Sequence, residues 1–538
     1  MSGQIRVPLP LTVYYYIGIE QYLITYAKKN IMEPKLLKEL FTDLTYTVAE
    51  SCRLSGEELS NLEIAAVVSD GRELQEGCLF ICCRDTNYNG PTYLAQAIEA
   101  GAAVIVTERA ILEEAMPEDA ADAPAFIFVD DARYAMAFIY AAWYNHPADK
   151  LLTIGITGTK GKTTTAYMLY DMLRAAGRKA GLISTVEYII GDEHIESLNT
   201  TPEAPLLQNI LHCMIQAGLD SVVMEVTSTA LQYHRSQGFI LDIGMFTNIG
   251  NDHIGPGESR DFDHYLQCKS RLFRQCRMGI VNIDDPNAER IIEGHTCELK
   301  TFGFSEDAEC RALNIACEMT DGRPGVLFDV TCPSLHVQIP MPGEYTVRNA
   351  LGAIAAAHQL RIQEDAILSA LAGISVPGRF NVITKEDSSG ASAPVAVVDF
   401  AHNPMSLRAI ITALRQYYKG KIFCIFGCGG DMYRSKRPDM GAVSTELADF
   451  VYITNDNPRF EDPGSIIKDI LSGIPKDRSN YAVIPDRREA VLAAFAQAAP
   501  GDVVLLAGKG TERYQNVRGV KYPCDDSELA REALDLYC

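Results

Sequence analysis

The chain has 538 residues, of which 47% are hydrophobic and 22% charged, and a formal net charge of −22. This length predicts two to four domains, each large enough for its own core. The acidic balance argues against a nucleic-acid partner, which needs a basic face, but leaves room for a small nucleotide held by one local loop. The 15 cysteines are scattered without paired Cys-x2-Cys elements, so reduced thiols are expected and a zinc site is not. No run of about 18 uncharged apolar residues occurs, so no membrane span is expected; the chain reads as cytoplasmic.

Residues 1–31 contain "LTVYYYIGIEQYLITYAKK", apolar but interrupted by Glu20 and preceded by two prolines. The stretch lacks the basic start and small-residue exit of a secretory signal and reads as a leader before Met32. Residues 32–148 mix short strands and helices: "CLFICC" (78–83) predicts a buried strand, and "YLAQAIEAGA" a helix closed by a glycine. From 149 to 375 strand and helix alternate. "LLTIGIT" predicts a strand, and "KTTTAYMLYDMLRAAG" a helix with Met168, Leu169, Met172, Leu173 and Ala176 on one stripe and Gly177 as its C-cap. "AGLIST", "DSVVMEVTS", "DIGMFTN" and "MGIVNID" follow as strands, and the alternation predicts an α/β fold with parallel strands. After a break at "ISVPGRF", residues 376–538 hold four apolar runs that each end in a polar cluster: "VAVVDFAHNP", "KIFCIFGCGGD", "FVYITNDNPR" and "VVLLAGKGTE". Open α/β sheets bind ligands outside the carboxyl ends of their strands, so these clusters are expected to line one site.

"TGTKGKTTT" lies between a predicted strand and a predicted helix. In a glycine-rich turn the backbone N–H groups close round phosphate oxygens, and the helix N-terminus adds positive potential. Gly158, Thr159, Lys160, Gly161, Lys162, Thr163 and Thr164 therefore read as a phosphate loop, with Lys162 reaching the terminal phosphates and the Thr163 hydroxyl on Mg²⁺. The spacing is a variant, because Ile156 stands where the strict Gly-x4-Gly-Lys pattern has glycine. Glu225, ending "DSVVMEV", is placed where a second Mg²⁺ ligand is wanted; an ordinary strand-end acid is the competing reading. His253 in "FTNIGNDH" reads as a metal ligand or as a structural histidine. Lys269 is of use to a metal only as an anionic carbamate, since an ammonium has no lone pair.

The order of "GTKGKTT", "EVTSTALQYHR", "FTNIGNDH", "YLQCK", "PGEYTVRNALGAIAAA", "PGRF", "DFAHNP", "FGCGGD…SKRPDMG", "DNPR" and "GKGTE" resembles that of the Mur ligases over roughly residues 32–538. The resemblance implies three α/β domains: a UDP-sugar-binding domain (32–148), a central P-loop ATPase with a mostly parallel sheet (149–375) and a Rossmann-like amino-acid-binding domain (376–538). It implies an ATP- and Mg²⁺-dependent ligase, expected as a monomer, that joins meso-diaminopimelate to UDP-N-acetylmuramoyl-L-alanyl-D-glutamate through an acyl phosphate. By the same resemblance Lys162, His253 and a carbamylated Lys269 are catalytic, and Thr163, Glu225, His253 and Lys269 surround the metal. Asn349, Arg379 and Asp399 join the phosphate loop on ATP. Gly71, Thr200, Thr201, Thr227, Tyr233 and Arg235 face the UDP-MurNAc-dipeptide. Arg437, Asp456, Asn457, Pro458, Arg459, Gly508 and Glu512 face diaminopimelate, whose carboxylates suit arginine. The chain departs from the family pattern in having Gly71 in place of serine, Pro91 after "YNG", Thr229 and Thr511 in place of histidines, and an altered segment after His253. Lysine as the added residue, a Mur-like ligase on another acceptor, and a nucleotide-binding module without ligase activity are the alternatives.

Overall fold

The computed structural model describes residues 32–84, 88–115, 124–250, 259–320, 323–385 and 393–537. The leader at 1–31 and His253 lie outside the described residues. The described residues pack as two compact units, one formed by 32–162 together with 177–300, the other by 163–176 together with 301–537.

The first unit carries two sheets. In the N-terminal sheet, β1 (Ala66–Val68), β2 (Cys78–Cys82), β3 (Val104–Thr107) and β4 (Ala125–Phe128) run parallel, with Thr47–Val48 antiparallel at the edge. Strands β2 to β4 are buried along their whole lengths, as expected of parallel strands covered on both faces. Helix α1 (Ala132–Trp143) follows β4, capped by Asp131, whose side chain accepts from the N–H of Tyr134.

The second sheet of this unit begins with β5 (Leu152–Thr157), which leads through the glycine-rich loop into α2 (Lys162–Ala175). Then come β6 (Ala180–Ile183), a hairpin of β7 (Glu187–Ile190) and β8 (Glu193–Glu196), helix α3 (Ala204–Gln216), β9 (Ser221–Glu225), β10 (Leu241–Phe246), α4 (Phe262–Ser270) and β11 (Cys276–Asn282). Their order is β8-β7-β6-β9-β5-β10-β11. The strands read from the sequence, β5, β6, β9, β10 and β11, pair in parallel, whereas the hairpin is antiparallel. Gly177 adopts φ +79 after α2, as its capping role requires; Met168, Leu169, Met172 and Leu173 are fully buried, but Ala176 lies past the last turn and is exposed.

In the second unit, the strands Cys310–Thr320, Arg323–Thr331 and Ser334–Ile339 form an antiparallel meander. A helix, Glu344–Gln359, carries Asn349. The C-terminal sheet has the order Asn381–Ile383, Val395–Asp399, Val503–Ala507, Ile422–Phe426, Phe450–Ile453, Tyr481–Val483. The four apolar runs predicted from the sequence are its four central strands, mutually parallel. Their polar clusters therefore emerge along one edge, the carboxyl edge.

Candidate functional site

The glycine-rich loop is held from outside itself. Thr159 N donates to Asn248 O at 2.8 Å, and Lys160 N to Asn248 Oδ1 at 2.9 Å. Thr247 Oγ1 and Asn248 Nδ2 donate to Lys160 O at 2.7 and 3.0 Å. The loop needs glycine at 158: its φ is +153, and a Cβ there would sit 2.0 Å from Thr247 Oγ1. The Lys162 ammonium donates to Gly158 O at 2.8 Å and Thr159 O at 3.3 Å.

Lys269 meets the same loop. It is 1% exposed, and its Nζ donates to Gly158 O at 3.0 Å and lies 4.7 Å from the centre of the Tyr265 ring. The Tyr265 hydroxyl is 3.0 Å from Thr159 Oγ1, which in turn accepts from Gly250 N at 3.0 Å. Tyr265 and Lys269 lie one turn apart on α4, so one helix face serves both. Tyr265, Thr247 and Asn248 were not among the residues expected from the sequence, although Tyr265 opens the quoted "YLQCK" and the other two stand in the quoted "FTNIGNDH".

Glu225 ends β9 opposite Ile156 of β5, one residue before the loop. Its carboxylate is fully buried and accepts from Thr185 N at 2.8 Å and Thr185 Oγ1 at 3.1 Å. No basic side chain pairs with it among the described residues, so the charge is left for a cation to complement.

Around Glu225 the residues predicted for the acceptor come together. Thr185 Oγ1 and Thr200 Oγ1 are 3.0 Å apart, Thr201 Oγ1 donates to Glu225 O at 2.9 Å, and Thr227 N donates to Thr201 Oγ1 at 3.1 Å. Arg235 Nη1 donates to Thr201 O at 3.1 Å. Thr229, in place of the family's histidine, shares a hydroxyl contact of 3.0 Å with Thr227.

Gly71 stands in the N-terminal sheet's carboxyl-end loops. A Cβ at this position would lie 2.0 Å from Tyr93 Cγ. The missing serine thus has a packing reason: Tyr93 occupies its place. Asp70 caps the short turn Gly71–Glu73 and pairs with the Arg72 guanidinium. Burial pushes the Asp70 carboxyl up, but its bonds to Arg72 outweigh that and leave it below the usual range.

In the second unit Asn349 is buried, and its carbonyl accepts from Thr165 Oγ1 at 3.5 Å. The Arg379 guanidinium lies 4.6 Å from the centre of the Phe400 ring, and Asp399 accepts from Phe380 N at 2.8 Å. Burial raises the Asp399 carboxyl, with Arg379 opposing.

At the carboxyl edge of the C-terminal sheet, Asp456, Asn457, Gly508 and Glu512 converge. Asn457 Nδ2 donates to Glu512 Oε2 at 2.6 Å, and Asn457 Oδ1 accepts from Asn516 N at 2.8 Å. A Cβ on Gly508 would lie 2.9 Å from Asp456 Oδ2, so only glycine admits the aspartate so close. Burial, then the charge of Asp456, raises the Glu512 carboxyl, against the pull of Lys509, whose Nζ is 3.3 Å away. Lys509 is fully buried and stands inside the quoted "GKGTE".

Arg459, after Pro458, has a left-handed backbone, φ +53, fixed by Arg459 N donating to Asn516 O at 2.9 Å and Arg459 O accepting from Arg518 N at 2.7 Å. That conformation costs a non-glycine residue roughly 1–2 kcal/mol and aims a half-buried side chain whose Nη1 donates to Gly430 O at 3.3 Å. Arg437 behaves differently. It is fully buried, and its fork is taken by Glu461 at 3.0 Å, Asp469 at 2.8 Å and Gly429 O at 3.1 Å. A direct substrate contact, as expected from the sequence, would require it to leave those partners.

Parallel sheets with polar loops at their carboxyl ends, and a cationic glycine-rich loop between strand and helix, define a nucleotide-binding α/β protein. Residues 63–144 match the catalytic domain of the Mur ligase family, 156–357 the Mur ligase middle domain and 378–510 the Mur ligase glutamate ligase domain. The chain is 37% identical over 499 residues to UDP-N-acetylmuramoyl-L-alanyl-D-glutamate–2,6-diaminopimelate ligase 1 of Clostridium acetobutylicum, covering 92% of this chain and 98% of that one. It is 38% identical over 477 residues to the ligase of that name from Caldanaerobacter subterraneus, covering 88% and 95%. A solved structure of a UDP-N-acetylmuramoyl-L-alanyl-D-glutamate–2,6-diaminopimelate ligase superposes with a TM-score of 0.65 at 26% identity, over 94% of this chain and 99% of that one. The ADP complex of a MurF ligase from Thermotoga maritima, at 19% identity and TM-score 0.58 over 88% and 97%, shares the fold. The chain belongs to the Mur ligase family, with that family's three α/β domains.

Proposed function

We propose that the protein is an ATP-dependent ligase that adds meso-diaminopimelate to UDP-N-acetylmuramoyl-L-alanyl-D-glutamate in peptidoglycan precursor synthesis. The observation that carries the reading is the meeting, at the carboxyl ends of the strands Phe450–Ile453 and Val503–Ala507, of the buried Asp456 and the half-buried Glu512 with Asn457 and the half-buried Arg459. Acids suit an ammonium, and an arginine fork suits the distal carboxylate that lysine lacks. The names of relatives that span nearly the whole chain agree with it.

The domains fall at 32–148 for the UDP-sugar, 149–375 for ATP and 376–538 for the amino acid. The acceptor carboxylate attacks the γ-phosphate of ATP, giving an acyl phosphate and releasing ADP; the amine of diaminopimelate then attacks the acyl carbon, expels phosphate and, on losing a proton, leaves the amide. Two anions must approach each other in the first step, and Lys162 on the phosphate loop offsets their repulsion. Gly158, Thr159, Lys160, Gly161, Thr163 and Thr164 cradle the phosphates, while Asn349, Arg379 and Asp399 face the rest of the nucleotide. Mg²⁺ suits the uncompensated carboxylate of Glu225 and would be held by Glu225, Thr163, His253 and a carbamylated Lys269; when bound it supplies charge neutralisation. Gly71, Thr200, Thr201, Thr227, Tyr233 and Arg235 bind the acceptor. Asp456, Asn457, Pro458, Arg459, Gly508 and Glu512 bind the amino acid, and Arg437 supports their loops through Glu461. No helix of the described residues is long and apolar enough to cross a membrane, and we place the enzyme in the cytoplasm as a monomer.

Release of ADP by the purified protein, measured with each substrate left out in turn, tests the reading. Release should need ATP, the UDP-MurNAc-dipeptide and diaminopimelate together. Release supported by a different acceptor in place of the UDP-MurNAc-dipeptide would refute it. Lys269→Ala should abolish turnover, and a short added carboxylate should restore part of it.

A further inference from the structure

Glu203, two residues after Thr201, sits at the N-cap of α3, where its carboxylate lies between two arginines. Arg133 Nη1 donates to Glu203 Oε2 at 2.6 Å, and Arg235 Nη2 lies 2.6 Å from Glu203 Oε1. The side chains of Arg133, Glu203 and Arg235 are 11%, 8% and 11% exposed. Arg133 belongs to α1 of the N-terminal sheet's layer, whereas Glu203 and Arg235 flank the threonine cluster around Glu225. The Arg133 guanidinium also lies over two rings, 5.0 Å from the centre of Tyr88 and 5.1 Å from that of Tyr233.

A second set of contacts joins the same two segments. His234 Nε2 is 3.4 Å from Asp131 Oδ2, and the His234 ring meets Tyr134 edge-on at 5.4 Å. His234 takes a left-handed backbone, φ +56, which turns the chain between Tyr233 and Arg235. The start of α1 thus grips Tyr233 and His234 directly and reaches Arg235 through Glu203.

Two guanidinium groups converge on one carboxylate in a nearly dry place, where charge is costly unless it is paired. Arg235 Nε is buried and has no hydrogen-bond partner among the described residues. That donor asks for an oxyanion, and the acceptor assigned to this site carries a diphosphate and carboxylates. Removing Arg133 would strengthen the pull of Glu203 on Arg235 and draw its fork inward.

We infer that Arg133 is a positioning residue for the acceptor: through Glu203 and the Tyr233 ring it sets the Arg235 fork against an oxyanion of the UDP-linked substrate. This rests on the acceptor reading proposed above. The test is steady-state kinetics of the full-length enzyme, wild type against Arg133→Gln and Arg133→Lys, with the three substrates varied in turn. Arg133→Gln should raise KM for the UDP-MurNAc-dipeptide at least tenfold, leave kcat and the KM values for ATP and diaminopimelate within about twofold, and Arg133→Lys should fall between. If Arg133→Gln does not fold, the Lys variant alone must show the same selective rise. Titration of UDP alone separates the anions: weakened binding in the variant places the diphosphate at Arg235, and unchanged binding places a carboxylate there. A variant with lower thermal stability and lower kcat but an unchanged acceptor KM would overturn the inference, leaving a plain structural latch. A wild type that turns over no UDP-MurNAc-dipeptide would overturn the functional reading and this inference with it.

Discussion

Replacing Arg459 by alanine isolates the group on which the substrate assignment stands. Among the described residues its guanidinium gives one long hydrogen bond, 3.3 Å to Gly430 O, so little intramolecular bonding is lost with the side chain. The backbone is held separately, by Asn516 O and Arg518 N, and keeps its left-handed turn. The loss should therefore fall on the bound diamino diacid. A hydrogen bond to a charged group contributes about 1.5–3 kcal/mol, and each 1.4 kcal/mol is roughly tenfold. The KM for diaminopimelate should rise about ten- to hundredfold, with KM for ATP unchanged, in a coupled assay of ADP release. Thermal stability should stay near the wild-type value. An unchanged KM for diaminopimelate would refute the assignment, and an equal rise for ATP would refute the separation of the two sites.

Other substitutions probe the rest of the account. Gly71→Ser restores the family's serine but drives a side chain into Tyr93, 2.0 Å from the new Cβ; it should lower stability by about 1–3 kcal/mol, and trimming Tyr93 to alanine should recover part of that in a denaturant melt. Gly158→Ala pushes the phosphate loop off Thr247 Oγ1, likewise 2.0 Å away; a displacement near 1 Å costs on the order of 100-fold, to be read as kcat/KM for ATP with the melting temperature as control. Asp171, half-buried on α2, has its carboxyl pushed up to about 6 by burial, with Arg174 opposing. The unfolded chain loses that proton first, so the wild type is favoured below about pH 4 and loses this contribution as the pH rises through about 6. Asp171→Asn should therefore raise the melting temperature at pH 7 more than at pH 4; an equal effect at both would rule out the titration.

The C-terminal half of the site was legible because its signal is local. Each apolar run ends in its own cluster, and parallel pairing alone brings Asp399, Asp456 and Gly508 to one edge. The phosphate loop was legible for the same reason, being one contiguous segment between strand and helix. What escaped depends on distant partners. Thr185 grips Glu225 across 40 residues, and Arg133 meets Glu203 across 70; neither pairing leaves a trace in spacing. Gly71 looked like a lost contact until Tyr93 filled the space. Arg437 matched a motif but is spent on Glu461 and Asp469. The meander at 310–339 also went unread, since strands alternating buried and exposed positions, as in Ser334–Ile339, carry no run of apolar residues.

The most direct test of the central claim is a competition. The purified protein is given ATP, Mg²⁺ and UDP-N-acetylmuramoyl-L-alanyl-D-glutamate with meso-diaminopimelate and L-lysine at equal concentration, and the UDP-linked product is identified by mass. The account predicts the diaminopimelate adduct in large excess. A predominant lysine adduct, or no adduct from this acceptor, would contradict it.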